Sequence, residues 1–352
     1  MAKNPRPQHI LVIRLSALGD VAMLVPVLQV LLNTYPDLKI TLLTRGFFAP
    51  IFQELPNVEV FPVETKGKHK GVLGLWRLYQ ELKPKSFTGV ADVHNVLRSN
   101  MLRLFFKTSR IPFFQIDKGR KEKKALTREN DKIFKPLITT HQRYAEVFEA
   151  MGYPLDLEQF SFLNKQTIPN SLLSLSGEKK QNKWVGIAPF AAHTGKMYPL
   201  EMMVEVIDTL NSKIDYRILL FGGGVEEIEK LAEIAESRNR VFSVAGGLSF
   251  AEELALISNL DIMVAMDSGN AHLAANYGIP VITIWGVTHP YTGFYPFGQP
   301  ENHALLPDRE QFPLLPTSVY GNKVPKGYEK VITTIYPEQI IDKITEVLAK
   351  PA

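Results

Sequence analysis

The residues best placed to do chemistry fall in one stretch, Val264 to Ala275, which reads VAMDSGNAHLAA. An apolar run through Met266 stops at Asp267-Ser268-Gly269-Asn270, and small residues at helical spacing then carry His272. This pattern predicts a strand that delivers its end into the N-terminus of a helix. Such a terminus offers unpaired backbone N–H groups and the positive end of the helix dipole, from which a bound phosphate gains about 0.3–2 kcal/mol. Gly269 lets an oxygen-rich ligand come close to the backbone. A plain strand–helix turn capped by Asp267 or Ser268 accounts for the same residues without any ligand.

Other candidates sit in similar turns. Lys196 follows His193, Thr194 and Gly195 in the turn Phe190 to Tyr198. Within reach of a phosphate gathered at Ser268, a charge-assisted hydrogen bond from its ammonium contributes roughly 1.5–3 kcal/mol. Gly222-Gly223-Gly224 precedes Glu226 and Glu227, and Gly246-Gly247 closes a further strand. Near the start of the chain, Asp20 is the one acidic group in the turn Leu15-Ser16-Ala17-Leu18-Gly19-Asp20, and Asp92-Val93-His94-Asn95 ends a strand on the same expected edge.

These turns need strands and helices to aim them. His9 to Arg14 is a continuous aliphatic run of the kind found in buried parallel strands, and Val21 to Leu32 is a helical pattern. Lys39 to Thr44, Val58 to Val63, Phe87 to Val93 and Ile111 to Ile116 are further strands, with helices at Val72 to Leu82 and His141 to Met151. Residues 164 to 182 are polar and hold Pro169 and Gly177, which marks a linker at 166–182. The alternation then restarts: strands at Trp184 to Ala188, Tyr216 to Phe221, Val241 to Val244, Asp261 to Met266 and Pro280 to Trp285, with helices between. The expected fold class is α/β, two Rossmann-like domains with parallel sheets facing a central cleft, ligands lying at the carboxyl ends of the strands. The domains are expected at 1–165 and 183–336, with the last helix, in 337–352, folded back on the first.

Composition narrows the function classes. At 352 residues two domains are the natural expectation, and 45% hydrophobic with 22% charged residues is globular. The absence of cysteine excludes a disulfide framework, a thiolate metal site and a cysteine nucleophile. The longest apolar stretch, Val21 to Leu32, is too short to span a bilayer, and Arg14 interrupts any signal-peptide core, so a cytoplasmic protein is expected. The net charge of +4 is uneven: residues 1–165 carry 25 Lys/Arg against 15 Asp/Glu, net +10, and the remainder is net −6. The basic loops at Lys66, Lys68, Lys70 and at Lys118, Arg120, Lys121, Lys123, Lys124, Arg128 suit an anionic partner of the first half, although charge clusters are commonly just solvated.

From the residues alone, the second half binds a nucleotide diphosphate and the first an anionic acceptor. Leu18-Gly19-Asp20, Gly195-Lys196, the turn Gly222 to Glu226, and Asp267-Ser268-Gly269 with His272, in that order along nearly the whole chain, resemble glycosyltransferase family 9, the heptosyltransferases of lipopolysaccharide core assembly. The resemblance implies a GT-B fold and inverting transfer of a sugar, typically from ADP-heptose, onto an anionic inner-core lipopolysaccharide precursor, with neither a metal nor another cofactor. It also allows peripheral contact with the inner face of the inner membrane. By the family pattern Asp20 is the general base and Lys196 offsets charge on the departing diphosphate. Thr194, Lys196, Glu226 (or its neighbour Glu227), Asp267, Ser268, Gly269 and His272 bind the donor, and His94, Arg98, Lys121, Lys123 and Lys124 meet the acceptor.

Asn270 stands where many members have proline, and Met197-Tyr198 replaces a frequent Arg-Trp, departures that bear on which sugar and base are used. A member using another nucleotide sugar and a GT-B nucleotide-sugar epimerase are the neighbouring alternatives. An oxidoreductase is disfavoured because neither opening strand is followed by G-x-G-x-x-G. A polyanion-binding module leaves the glycine turns of the second half unexplained, and nucleic acid is not expected because aromatics do not interleave the lysines.

Overall fold

A computed structural model describes residues 8–169, 172, 179 and 182–349. The chain divides into two compact units, one of residues up to Arg120 with Ile138–Ser161, the other of Lys121–Leu137 with residues from Phe162 onward. Each is a parallel α/β sheet, the Rossmann-like pair that the alternation predicts. Most of the expected linker, 166–182, lies outside the described residues.

In the first unit five parallel strands, β1 (His9–Ile13), β2 (Lys39–Thr44), β3 (Val58–Pro62), β4 (Gly89–Asp92) and β5 (Phe113–Gln115), lie in the order β3-β2-β1-β4-β5. The register pairs Ile13 with Asp92, so the residues leaving β1 and β4 emerge side by side. The single helix expected from Val21 to Leu32 is two, α1 (Leu18–Ala22) and α2 (Leu24–Thr34). Pro26 has no N–H to offer the carbonyl of Ala22, which favours the break at Met23. Helices α3 (Gly71–Leu82) and α4 (Leu97–Thr108) cover the sheet through Leu75, Leu78, Leu102 and Phe106, which pack on Leu11, Ile13 and Val90. Helix α5 (Arg120–Thr127) follows β5, and α6 (Thr140–Ala150) begins with Thr139 Oγ1 accepting the Gln142 amide.

In the second unit β6 (Lys183–Ala188), β7 (Tyr216–Leu220), β8 (Val241–Ser243), β9 (Ile262–Met266), β10 (Val281–Ile284) and β11 (Ala304–Leu305) form a sheet ordered β11-β10-β9-β6-β7-β8, all parallel. Between them run α7 (Leu200–Asn211), α8 (Val225–Glu236), α9 (Phe250–Ile257) and α10 (Gly269–Asn276). Ser249 and Glu252 form the reciprocal cap that the sequence signals for α9.

Two expectations about domain limits change. The last helix, α11 (Pro337–Ala349), packs on its own unit: Ile340, Ile344 and Val347 join Met203, Val206 and Leu210 of α7 in one core. Amphipathic spacing establishes that α11 has an apolar face, but the partner is decided by which other face is left uncovered. Ile344 is fully buried, so Ile344→Ala is expected to cost about 2–5 kcal/mol in urea unfolding; a loss below about 1 kcal/mol would remove α11 from this core. The segment 121–137, expected in the first domain, belongs to the second unit. Lys132 Nζ donates to the carbonyls of Leu126 and Pro316 at 2.8 Å, Phe134 stacks against His289 and Tyr291, and the Leu137 amide donates to the Tyr291 carbonyl at 3.0 Å. Non-local aromatic and hydrogen-bond anchors here outweigh continuity of the chain. Among the described residues no helix is long and apolar enough to cross a membrane.

Candidate active site

In the first unit, Asp20 occupies the first turn of α1, and its Oδ2 lies 2.6 Å from Arg14 Nη2. Arg14 Nη1 donates to the Val93 carbonyl at 2.8 Å, so one buried guanidinium ties the turn after β1 to the turn after β4. Such charge-assisted bonds are the strong ones, and this one sets the direction of the carboxylate. Among the described residues no bond reaches Oδ1, and the Asp20 side chain keeps 28% exposure, so one oxygen is open to a substrate.

His94 is also part of this edge. Its Nδ1 accepts the Leu15 amide at 3.3 Å, which requires an unprotonated Nδ1. Burial, then the charges of Arg14 and Lys118, push its pKa down to about 3, so the ring is neutral at physiological pH. Asp92 is taken up structurally: Oδ1 accepts the amides of His94 and Asn95, and Oδ2 accepts Gln115 Nε2 at 2.7 Å. Half-buried Lys118 faces the same charges, and burial with the field of Arg14 lowers its pKa. The result is a reachable carboxylate on Asp20 among cations, an arrangement suited to accepting a proton from a hydroxyl carried by an anionic molecule.

In the second unit, Lys196 ends a short 3-10 turn, Thr194–Lys196, after β6, and Asp267 is the first residue beyond β9. The pairing of Ala188 with Ala265 brings these two strand ends together. Lys196 Nζ lies 2.7 Å from Asp267 Oδ2 and 3.2 Å from the Asp267 carbonyl, while Thr288 Oγ1 donates to the same Oδ2 at 3.0 Å. An ammonium has three hydrogens, so this grip leaves one for a ligand. The backbone around it is tight. A Cβ on Gly195 would stand 2.6 Å from the Gly321 carbonyl oxygen, and one on Gly286 2.2 Å from the Gly195 oxygen. Gly321, at φ +77, has its own Cβ position 2.4 Å from Lys196 Cγ. Glycine is therefore required at these three places for the lysine to be seated as it is.

Ser268 is the N-cap residue of α10, yet its hydroxyl makes no cap bond; Oγ is buried and, among the described residues, without a hydrogen-bond partner. A buried hydroxyl left unpaired beside free helix amides costs about 1–3 kcal/mol unless something else supplies its partner. The combination of ammonium, hydroxyl and helix terminus at Lys196, Ser268 and Gly269 suits a phosphate or diphosphate.

A model of glycosyltransferase family 9 (heptosyltransferase) matches residues 75–315. The chain belongs to this family. Lipopolysaccharide core heptosyltransferase OpsX of Haemophilus influenzae is 25% identical over 299 residues, spanning 81% of this chain and 80% of that protein. The crystal structure of a family 9 glycosyl transferase from Veillonella parvula superposes with a TM-score of 0.75 at 20% identity, covering 99% of this chain and 98% of that one. E. coli heptosyltransferase WaaC with ADP-2-deoxy-2-fluoro heptose superposes at 0.67, also at 20% identity, covering 96% and 99%. These structures share the two-domain α/β fold of the GT-B heptosyltransferases. Membership makes the chain a glycosyltransferase and sets aside the epimerase, oxidoreductase and polyanion-binding alternatives.

The remaining candidates of this family 9 enzyme are distributed unevenly. Glu226 and Glu227, which the sequence leaves as alternatives, differ in what holds them: Glu227 Oε2 accepts the Gly223 amide at 2.8 Å, whereas Glu226 is exposed. Glu227 thus closes the glycine turn and Glu226 stays available to a ligand. Thr194 is exposed in the Lys196 turn, and His272 is buried in the first part of α10. Arg98 is exposed at the start of α4, as are Lys121 and Lys124 on α5. Lys123 departs from expectation. It is buried with Nζ 4.3 Å from the Phe294 ring centroid, so its charge is spent on a cation–π contact within the second unit. Arg14, Thr288, Gly286 and Gly321 were missed as site residues. Arg14 directly after an apolar strand was the one available signal, since a charge there must be paired once the strand is buried.

Proposed function

We propose that this enzyme is a cytoplasmic, inverting, metal-independent glycosyltransferase that moves heptose from ADP-heptose onto the inner core of a lipopolysaccharide precursor. The observation that carries the reading is the Lys196 ammonium, seated by Asp267 and Thr288 beside the unpaired Ser268 hydroxyl at the start of α10. ADP-heptose is favoured by the analogue bound in the E. coli relative, and the acceptor class by the relatives' names.

In the reaction the acceptor hydroxyl oxygen attacks the anomeric carbon as the bond to the diphosphate breaks. Asp20 takes the hydroxyl proton, and the electron pair of the broken bond leaves with ADP. Lys196, Ser268 and the α10 amides then face the charge that develops on the diphosphate, the work a divalent cation does in other transferases. Glu226 hydrogen-bonds the ribose, Thr194 and His272 assist at the phosphates or sugar, and Asp267 acts through Lys196. His94, Arg98, Lys121 and Lys124 contribute to binding the acceptor's anionic groups.

A thermal-shift screen against ADP, GDP and UDP tests the donor. ADP at about 100 times its dissociation constant is expected to stabilise by about 2.7 kcal/mol, with little response to GDP or UDP. A larger shift with UDP or GDP would reject ADP-heptose. Turnover that survives EDTA and gives the inverted anomer by NMR completes the test; loss of turnover in EDTA, or a retained anomer, overturns the mechanism.

A further inference from the structure

A second arginine of the first unit is sealed in the fold without a counter-charge. Arg143, in the first turn of α6, is 4% exposed, and among the described residues it makes no ion pair. Its Nη1 donates to the Asp117 carbonyl at 3.1 Å, while Nε is buried and, among the described residues, has no hydrogen-bond partner. A guanidinium in that state lowers stability, and a well-packed apolar side chain of similar volume would be the more stable choice. What the arginine holds explains its presence.

It holds the turn after β5. Asn95 Nδ2 donates to the Ile116 carbonyl at 2.9 Å, and the Gly119 amide donates to Asp117 Oδ1 at 2.9 Å. Gly119 is buried at φ +57, and a Cβ there would stand 2.1 Å from Arg143 Nη2, so glycine is what lets the guanidinium lie against the turn. The register pairs Asp92 with Gln115 as well as with Ile13, which puts this turn on the sheet edge that carries His94 and Asp20. The polar side chain of the turn that these bonds leave unused is Lys118, which among the described residues has neither hydrogen bond nor ion pair. It is half-buried in the fields of Arg14, Arg120, Asp20 and Asp92. All three of its ammonium hydrogens are therefore available, at a place fixed by the turn. Arg120, Lys121 and Lys124 are exposed and have no such seat.

We propose that Arg143 is a positioning residue for the acceptor: from inside the fold it fixes the Asp117–Gly119 turn, so that the Lys118 ammonium is held for an oxyanion, carboxylate or phosphate, of the molecule whose hydroxyl meets Asp20. The assignment rests on the transfer reaction proposed above, but its first test needs no sugar. The full chain is treated with limiting N-hydroxysuccinimide acetate at neutral pH, and acetylation of Lys118 is read by peptide mass spectrometry against inorganic phosphate, acetate, or sodium chloride at matched ionic strength. Burial and the field of Arg14 lower the Lys118 pKa, which raises its share of reactive amine. Phosphate or acetate is expected to protect Lys118 beyond chloride, and the stronger protector names the acceptor's group. In Arg143→Met the concentration giving half-protection should rise about tenfold or more, the equivalent of one charge-assisted hydrogen bond, with the thermal shift by ADP unchanged. Arg143→Lys keeps the charge without the planar fork and should recover only part of the protection. Gly119→Ala, which displaces the guanidinium from the other side, should match Arg143→Met and carries the test should that variant not fold. In transfer assays the same variants should raise the acceptor KM about tenfold with kcat nearly unchanged. Protection no better than chloride's would overturn the proposal, as would half-protection unaltered in both Arg143→Met and Gly119→Ala, or a fall in kcat at constant KM. Arg143-dependent protection in a chain that accepts no lipopolysaccharide precursor would reject the transfer reading alone, and transfer with Lys118 unprotected would reject this assignment alone.

Discussion

Replacing Asp20 by asparagine is expected to lower the transfer rate by about 10²–10⁴ while leaving ADP affinity unchanged. Asparagine keeps the size and one oxygen of the carboxylate, so it can still accept from Arg14, but it has no basic site for the acceptor proton. The effect should fall on kcat, because the lost interaction belongs to the transition state. Some stability also goes. Arg14 has 6% side-chain exposure and would keep the Val93 carbonyl but lose its counter-charge. Solvent access on the Asp20 side limits that cost to well below the roughly 3–5 kcal/mol of a fully buried pair. Single-turnover assays at saturating ADP-sugar, with calorimetry of ADP binding, separate the two effects. Full turnover in the variant would end the general-base assignment.

Lys196→Met is expected to weaken ADP binding by roughly 10- to 150-fold, the equivalent of one charged hydrogen bond, and to slow transfer as well. Methionine fills the channel lined by Gly195 and Gly321 but carries no charge, and leaves the Asp267 carboxylate at 5% exposure with Thr288 as its remaining side-chain partner. Ligand-free stability should therefore fall by up to about 3 kcal/mol. The two losses can be told apart. Adding Asp267→Asn to Lys196→Met removes the uncompensated charge and should recover much of the stability, yet it cannot restore the hydrogen bond to phosphate. If the lysine variant bound ADP within twofold of the unaltered enzyme, Lys196 would be a purely structural partner of Asp267.

The sequence by itself determined what depends on near neighbours. Continuous aliphatic runs marked the parallel strands, small residues and glycines marked the turns, and each candidate turn followed a strand, so Lys196, Asp267 and Ser268 could be placed on one sheet edge and Asp20 with His94 on another. The order of four short motifs was enough to indicate the family. These signals survive because backbone conformation and strand-to-helix chirality are local constraints, felt within a few residues of where they are written.

Only the tertiary structure decided which side chains were already engaged. That Arg14 grips Asp20, that Thr288 and Asp267 share Lys196, that Glu227 closes the Gly223 turn while Glu226 does not, and that Lys123 lies over Phe294 are all contacts between residues whose meeting depends on the fold, even when one is close in sequence. The same holds for α11 and for residues 121–137. A basic run reads as facing an anionic partner, and a terminal helix as folded back on the first domain, until burial elsewhere shows which apolar surface remains open. Packing free energy depends on area removed from water by whatever partner arrives, and that partner is absent from any local window of sequence.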